Sequence, residues 1–221
     1  MKLGLDCTNG HLTWALLDDT DILYHETHLV KRDVAEYFPE ALHHQLNLLA
    51  RSPKDIEVIV SVAGPGGFSG VRTGTSFLEG LNAVLQVPIV TLSSLQALVL
   101  SVSSPNGNVI TLLDAKRQGV YVAVYDEQYH PLVAEHLCDV DNVRAVLAPY
   151  VQKPYYLAGH GISLCDDLWQ DNLVIDTLPC SRAEYFIKNY LKLPDIQSCL
   201  TMPHRPIYLR APDAKLPQGK S

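Results

Sequence analysis

The chain lacks most of what a metalloenzyme, a redox protein or a basic nucleic-acid binder needs. Its five cysteines, Cys7, Cys138, Cys165, Cys180 and Cys199, are odd in number and scattered, with no C-x-x-C pair. Such spacing argues against a zinc ribbon or a dithiol redox motif and fits free thiols in a reducing compartment, so a cytoplasmic protein is expected. No H-x-x-x-H or H-E-x-x-H pair occurs. His43 and His44 are neighbours on a helical stretch and point about 100° apart. His25 and His28 point to opposite faces of a strand. No metal site is expected from them. No apolar run approaches the roughly 20 residues that cross a bilayer, and Met1-Lys2 leads into a strand-like run rather than the apolar core of a secretory leader, so neither membrane anchor nor leader is expected. The formal charge of −7, from 17 Lys and Arg against 24 Asp and Glu, disfavours nucleic-acid binding by the chain on its own.

What is present is an ordinary globular composition, with 47% hydrophobic and 19% charged residues over 221 positions. That is enough for one large domain or two small ones with a proper core. The most informative stretch is Ser61-Val62-Ala63-Gly64-Pro65-Gly66-Gly67-Phe68-Ser69-Gly70-Val71-Arg72-Thr73-Gly74, where five glycines and a proline stand between an apolar run and a helical pattern starting near Thr73. Strand, glycine loop and helix in that order permit close backbone approach or an anion site at a helix N-terminus. A Walker A loop would need Lys and Ser or Thr after its last glycine, but Val71-Arg72 follow Gly70. The dinucleotide fingerprint would need its third glycine at Ser69. A nucleophile elbow around Ser69 fails because Val71 stands where the second glycine belongs. Close packing and direct anion contact both remain open for the loop.

Alternating runs predict strands at Leu3 to Asp6, His11 to Leu17 and Ile22 to Val30. Val34, Phe38, Ala41, Leu42, Leu46 and Leu49 then fall on one helical face. Ile56 to Val62 reads as a central strand, Thr73 to Gln86 as a second helix with a stripe of small residues at Ser76, Gly80 and Ala83, and Ile89 to Leu92 as a strand. Ser93-Ser94-Leu95-Gln96 is a capping box opening a helix to about Val102, and Ser103 to Asn108 reads as a linker. The second half repeats the order with strands at Val109 to Leu113, Val120 to Tyr125 and Leu132 to Leu137. A helix at Val143 to Val151 and strands at Tyr155 to Ala158 and Leu173 to Ile175 follow, then a second capping box at Ser181 to Glu184 ahead of a helix to Leu191. Ile207 to Leu209 is a last strand candidate, and the final ten residues are expected to lack fixed structure alone.

Two tandem βββαβ halves point to an α/β, actin-like (ASKHA, ribonuclease H-like) fold of two lobes, residues 1–104 and 105–221, each a mixed sheet with flanking helices. In that architecture the turns after the first strand of each lobe face phosphates, and here they begin at Asp6 and Asp114, with Lys116-Arg117 nearby as a possible anion contact. An ATP-dependent phosphotransferase using Asp6, Asp114 and the glycine loop is therefore one reading, and a metallopeptidase a weaker one for want of ligands.

With these residues in view, the chain resembles the TsaB (YeaZ) family. The family signature GPGSFTGLRIG is similar to Gly64-Pro65-Gly66-Gly67-Phe68-Ser69-Gly70-Val71-Arg72-Thr73-Gly74, with Gly64, Pro65, Gly66, Phe68, Gly70 and Arg72 among the matching positions. Leu5-Asp6-Cys7-Thr8, Ser93-Ser94-Leu95, Asp114-Ala115-Lys116 with Val120-Tyr121, and Tyr208-Leu209-Arg210 match further family elements in order. The chain departs at Cys7 and at Lys31-Arg32-Asp33-Val34, where the family often has an Arg-x-His-Ser element.

The resemblance implies a non-catalytic, cofactor-free partner in forming threonylcarbamoyladenosine at adenosine 37 of tRNA. It implies a homodimer when alone, a heterodimer with the catalytic subunit TsaD, assembly with the ATPase TsaE, and tRNA contact only through the complex. In the family, partner contact runs through first-lobe helices, and both such helices here are apolar beyond one stripe. Phe38, Leu42 and Leu46 on the first and Phe77, Leu81 and Leu85 on the second are the expected interface residues.

Overall fold

The computed structural model describes residues 1–29, 34–169, 173–194 and 205–209. Strands β1 (Lys2–Asp6), β2 (His11–Asp18), β3 (Asp21–Leu29), β4 (Val58–Val62) and β5 (Ile89–Leu92) form one sheet in the order β3-β2-β1-β4-β5. Strands β6 (Asn108–Lys116), β7 (Gly119–Tyr125), β8 (Pro131–Asp139), β9 (Tyr155–Ala158) and β10 (Val174–Leu178) form the other, in the order β10-β9-β6-β7-β8. In each sheet the first three strands are an antiparallel meander, and the last two add in parallel beside the first. The repeat of element order in the sequence is thus a repeat of topology, and the fold is actin-like.

Alternation along the strands sends side chains to two separate layers. On the outer face of the first sheet, Leu3, Leu5, Leu12, Trp14 and Leu16 pack under α1 (Val34–Leu48) and α2 (Phe68–Leu85). On the outer face of the second, Ile110, Leu112, Val120 and Val122 pack with Val143 and Leu147 of α4 (Val140–Leu147). The inner faces share one core built around α3 (Ser94–Ser101) and α5 (Ala183–Asn189).

Those two helices are exchanged between the halves. α3 follows the last strand of the first sheet yet packs on β6 and β7, whereas α5 follows the last strand of the second yet packs on β1, β2 and β3. The two helices also lie against each other, and the Asn189 amide donates to the Leu100 carbonyl at 2.9 Å. Gly4 makes room for α5, since a Cβ there would stand 2.3 Å from the Ile187 side chain. Phe186 and Ile187 are fully buried, and each such side chain contributes about 1.5–3 kcal/mol.

Several expectations are corrected. α2 begins at Phe68 rather than near Thr73, so Gly70 and Gly74 belong to the helix and the loop proper ends at Gly67. The sequence signal was misleading because helix-disfavouring glycines occupy its first turns. The Ser93 capping box forms, with Gln96 N–H donating to Ser93 Oγ at 2.9 Å and Ser93 N–H to Gln96 Oε1 at 2.8 Å. The one expected at Ser181 does not: Arg182 is the N-cap residue without a side-chain cap, and Ser181 donates instead to Asp6. β6 runs past Asp114 to Lys116, and residues 205–209 are not a strand. Val30, the divergent Lys31-Arg32-Asp33, Cys199, Arg210 and the final ten residues lie outside the described residues.

Candidate functional site

The β1–β2 turn and the glycine loop are pressed together. Gly67 N–H donates to the Thr8 carbonyl at 2.6 Å. A Cβ on Gly66 would stand 2.4 Å from that same oxygen, and one on Gly70 would stand 2.0 Å from the Cys7 carbonyl oxygen. A Cβ on Gly74 would meet the Cys7 sulfur at 2.6 Å. Of the two uses open to the glycines, close packing of α2 against Cys7-Thr8 accounts for these three positions. Gly64 has φ +106°, in the region that favours glycine, and its carbonyl accepts from Ser94 N–H at 2.8 Å. Pro65 follows it in the buried part of the loop.

Phe68 and Arg72 point the other way, into solvent, with the guanidinium carbon 3.7 Å from the Phe68 ring centroid. The Tyr208 ring lies beside Phe68 at 5.9 Å between centroids.

Asp6 is only 6% exposed and does not open into solvent. It accepts from Thr8 N–H at 2.8 Å, from Thr8 Oγ at 2.7 Å and from the Ser181 hydroxyl. The carboxylate therefore ties the first strand to the loop before α5. Its neighbour Cys7 is buried, which with the Asp6 charge pushes the thiol up to about 12. That thiol donates to the Gly70 carbonyl at 3.2 Å. Cys7, Cys138, Cys165 and Cys180 are free thiols.

Between the halves lies a cleft of about 410 Å³, lined by Asn9, Gly66, Gly67, Asp114, Lys116 and His160 among others. Asp114 thus reaches the cleft while Asp6 does not line it. Burial raises the Asp114 carboxyl, but the Lys116 backbone N–H at 2.7 Å and its ammonium at 2.5 Å outweigh that and hold it below its ordinary value. His160 is held below the ordinary histidine value chiefly by burial. Its Nδ1 accepts from Asp114 N–H at 3.4 Å and its Nε2 faces Asn9 Oδ1 at 3.4 Å, an arrangement suited to a neutral ring protonated on Nε2. Among the described residues no group of three His, Cys, Asp or Glu side chains is placed to hold a metal ion.

The expected interface residues divide. Phe38, Leu42 and Leu46 are 1%, 4% and 2% exposed and form part of the core beneath α1, so none of the three is available to a partner. Phe77, Leu81 and Leu85 are half-buried against the same core, and the Phe77 ring meets Phe38 edge-on at 4.9 Å. The extra apolar stripe of α1 is used on the sheet and on α2. Beyond Arg72, α2 leaves Ser76, Glu79, Gly80, Ala83 and Val84 in solvent, the last 78% exposed.

Two features of the site had no sequence signal strong enough to place them. The spacing of Ser181 to Glu184 fits a cap, whereas its role toward Asp6 spans 175 positions of chain. His160 stood in a recognised turn, Gly159-His160-Gly161, but its meeting with Asn9 across the cleft depends on how the halves face each other.

Known proteins resemble this chain along most of its length. A family model described as TsaD, tRNA N6-adenosine threonylcarbamoyltransferase, matches residues 27–176. The tRNA threonylcarbamoyladenosine biosynthesis protein TsaB of Bacillus subtilis is 33% identical over 178 residues, 77% of this chain and 76% of that protein. The Escherichia coli protein of the same name is 27% identical over 125 residues, 56% of this chain and 54% of that protein. YeaZ from Pseudomonas aeruginosa shares the fold with a TM-score of 0.76 at 19% identity, over 94% of this chain and 99% of that one. Among the described residues no helix is long and apolar enough to cross a membrane. By its glycine loop, its paired βββαβ halves and these relatives, the chain belongs to the TsaB (YeaZ) family of tRNA threonylcarbamoyladenosine biosynthesis proteins.

Proposed function

We propose that this chain is a non-catalytic subunit that pairs with the catalytic transferase TsaD, and with the ATPase TsaE, in threonylcarbamoylation of adenosine 37 in tRNA. The observation that carries this reading is the state of Asp6. The carboxylate that stands where an actin-like fold turns toward phosphate is buried and taken up by Thr8 and Ser181. The lobes proposed are residues 1–104 and 105–221, with α5 lent back to the first. The protein works in the cytoplasm, as a homodimer when alone, and meets tRNA within the complex.

The proposed partner surface is the exposed side of the α1–α2 pair. Val84 and Leu48, 78% and 67% exposed, offer apolar contact, and Ser76, Gly80 and Ala83 allow a partner helix to approach closely. Phe77, Leu81 and Leu85 support that face from beneath, while the glycine-loop residues Gly64, Gly66 and Gly70 set the angle of α2. The test is co-purification with TsaD on size exclusion, with tRNA modification as readout. Val84→Glu is expected to abolish co-elution while the circular dichroism melt stays within a few degrees of the parent. Undiminished binding by that variant would sink the proposed surface, and threonylcarbamoyl transfer by the isolated chain would sink the proposed role.

The interlobe cleft favours one alternative, an ATP-dependent phosphotransferase with Lys116 at the phosphates. It requires Mg-ATP binding and turnover by the isolated chain, and calorimetry that registers neither removes it.

A further inference from the structure

Phe68, Arg72 and Tyr208 form an exposed cluster that neither the proposed partner face nor the cleft uses. Phe68 and Tyr208 are 49% and 44% exposed. Their ring planes are inclined by 33° at a centroid distance of 5.9 Å, and the central carbon of the exposed Arg72 guanidinium lies over Phe68, 3.7 Å from the ring centroid.

Tyr208 is placed there by backbone contacts rather than by its own ring. Ile207 N–H donates to the Ala63 carbonyl at 2.7 Å. The Ile207 carbonyl oxygen stands 2.7 Å from where a Cβ on Gly64 would be, so only glycine at that position admits the segment. The loop glycine thus has a second use beyond its φ, which is to seat residues 205–209 beside Phe68.

Charge runs the same way. Arg72 and Arg205, both exposed, stand on the two segments that carry the rings. Flat aromatic faces, a stacked guanidinium and local positive charge together make a platform for a base and its flanking phosphates. An apolar protein segment would have no use for the cations, and two rings offer little area for insertion into a lipid surface.

We propose that Phe68, Arg72 and Tyr208 bind an unpaired nucleobase of an RNA strand, with Arg205 serving an adjacent phosphate. The choice of RNA rests on the proposed function. The site gives the subunit a direct hold on the strand inside the complex.

The test is fluorescence anisotropy at low salt with two probes, a labelled unmodified tRNA transcript and a labelled single-stranded oligoadenylate. Each is titrated with the full chain alone and with its complex with TsaD. Phe68→Ala and Tyr208→Ala are expected to weaken both probes about tenfold or more, the scale of one lost base stack. Tyr208→Phe keeps a ring and is expected to bind as the parent does. Tyr208→Leu keeps apolar bulk without a π-face and is expected to bind as poorly as Tyr208→Ala. Arg72→Gln is expected to lower the slope of log affinity against log salt by about one.

Parental binding by Tyr208→Ala and Arg72→Gln, full rescue by Tyr208→Leu, or no RNA binding by the parent in either form overturns the proposal. Failure of the TsaD complex to assemble counts against the proposed function instead. The isolated chain then decides the RNA site by the same titrations.

Discussion

Gly70 and Gly80 sit on the same helix and differ in what surrounds them. A methyl group on Gly70 would meet a backbone carbonyl at 2.0 Å, whereas one on Gly80 would meet nothing within 4 Å. Gly70→Ala is accordingly expected to cost about 2 kcal/mol or more, and Gly80→Ala to gain about 0.5–1 kcal/mol from helix propensity, both read from urea midpoints. Two carboxylates carry opposite pH signatures. Burial pushes Glu135 up, against hydrogen bonds from the hydroxyls of Ser93 and Tyr125. Its contribution to stability is complete below the unfolded glutamate value of about 4.3 and is lost as pH rises through the raised folded value. Burial also pushes Glu26 up, but donors from Tyr37, Tyr24 and Trp14 and the nearby His28 outweigh it and hold Glu26 low. Its contribution is present above about 4.3 and is lost as pH falls through the lowered value. Urea midpoints followed from about pH 3 to 7 should show Glu135→Gln removing the loss on the rising side and Glu26→Gln the loss on the falling side. Reversed slopes would contradict the two environments.

At the scale of elements, α1 and α2 show what packing adds to pattern. Phe77→Glu would set a charge against Phe38 beneath the helix pair, so it is expected to lower the thermal midpoint by many degrees. Val84→Glu, about two turns further along, is expected to leave the midpoint in place. Differential scanning calorimetry of the two variants separates them. From sequence, both helices were legible through their apolar spacing, and all ten strands were placed within a few residues, because alternation and β-branched runs report burial directly. The side of α1 that carries Phe38, Leu42 and Leu46 was also legible, but its destination was not. An apolar stripe says that a face is covered and is silent on whether the cover comes from the same chain. The start of α2 was missed for a related reason. Gly70 and Gly74 are poor helix formers whose presence is explained only by Cys7 and Thr8, some sixty positions away. Asp6 and Asp114 were both found as strand-end carboxylates, yet only the fold reveals that Ser181 occupies the first and Lys116 the second.

For the whole molecule, the exchange of α3 and α5 ties the halves into one unit. Each sheet's inner face is completed by a helix that the other half's strands lead into, and one core cluster runs through both. Unfolding is expected as a single transition by both far-ultraviolet circular dichroism and tyrosine fluorescence. A fragment of residues 1–104 lacks α5, leaves Ala15 and Leu17 uncovered and is expected to show no cooperative melt, whereas the fragment mixed with residues 105–221 regains it. The same exchange has a consequence for synthesis. The ribosome delivers β1 long before Asn189, so a nascent chain with its first sheet paired still presents a greasy inner surface with nothing to lie on it. α5 must emerge from the exit tunnel before that surface is sealed. Sealing of the first sheet therefore waits on synthesis of the second half, and during elongation the unfinished first half is a natural client for chaperones that shield exposed apolar sheet.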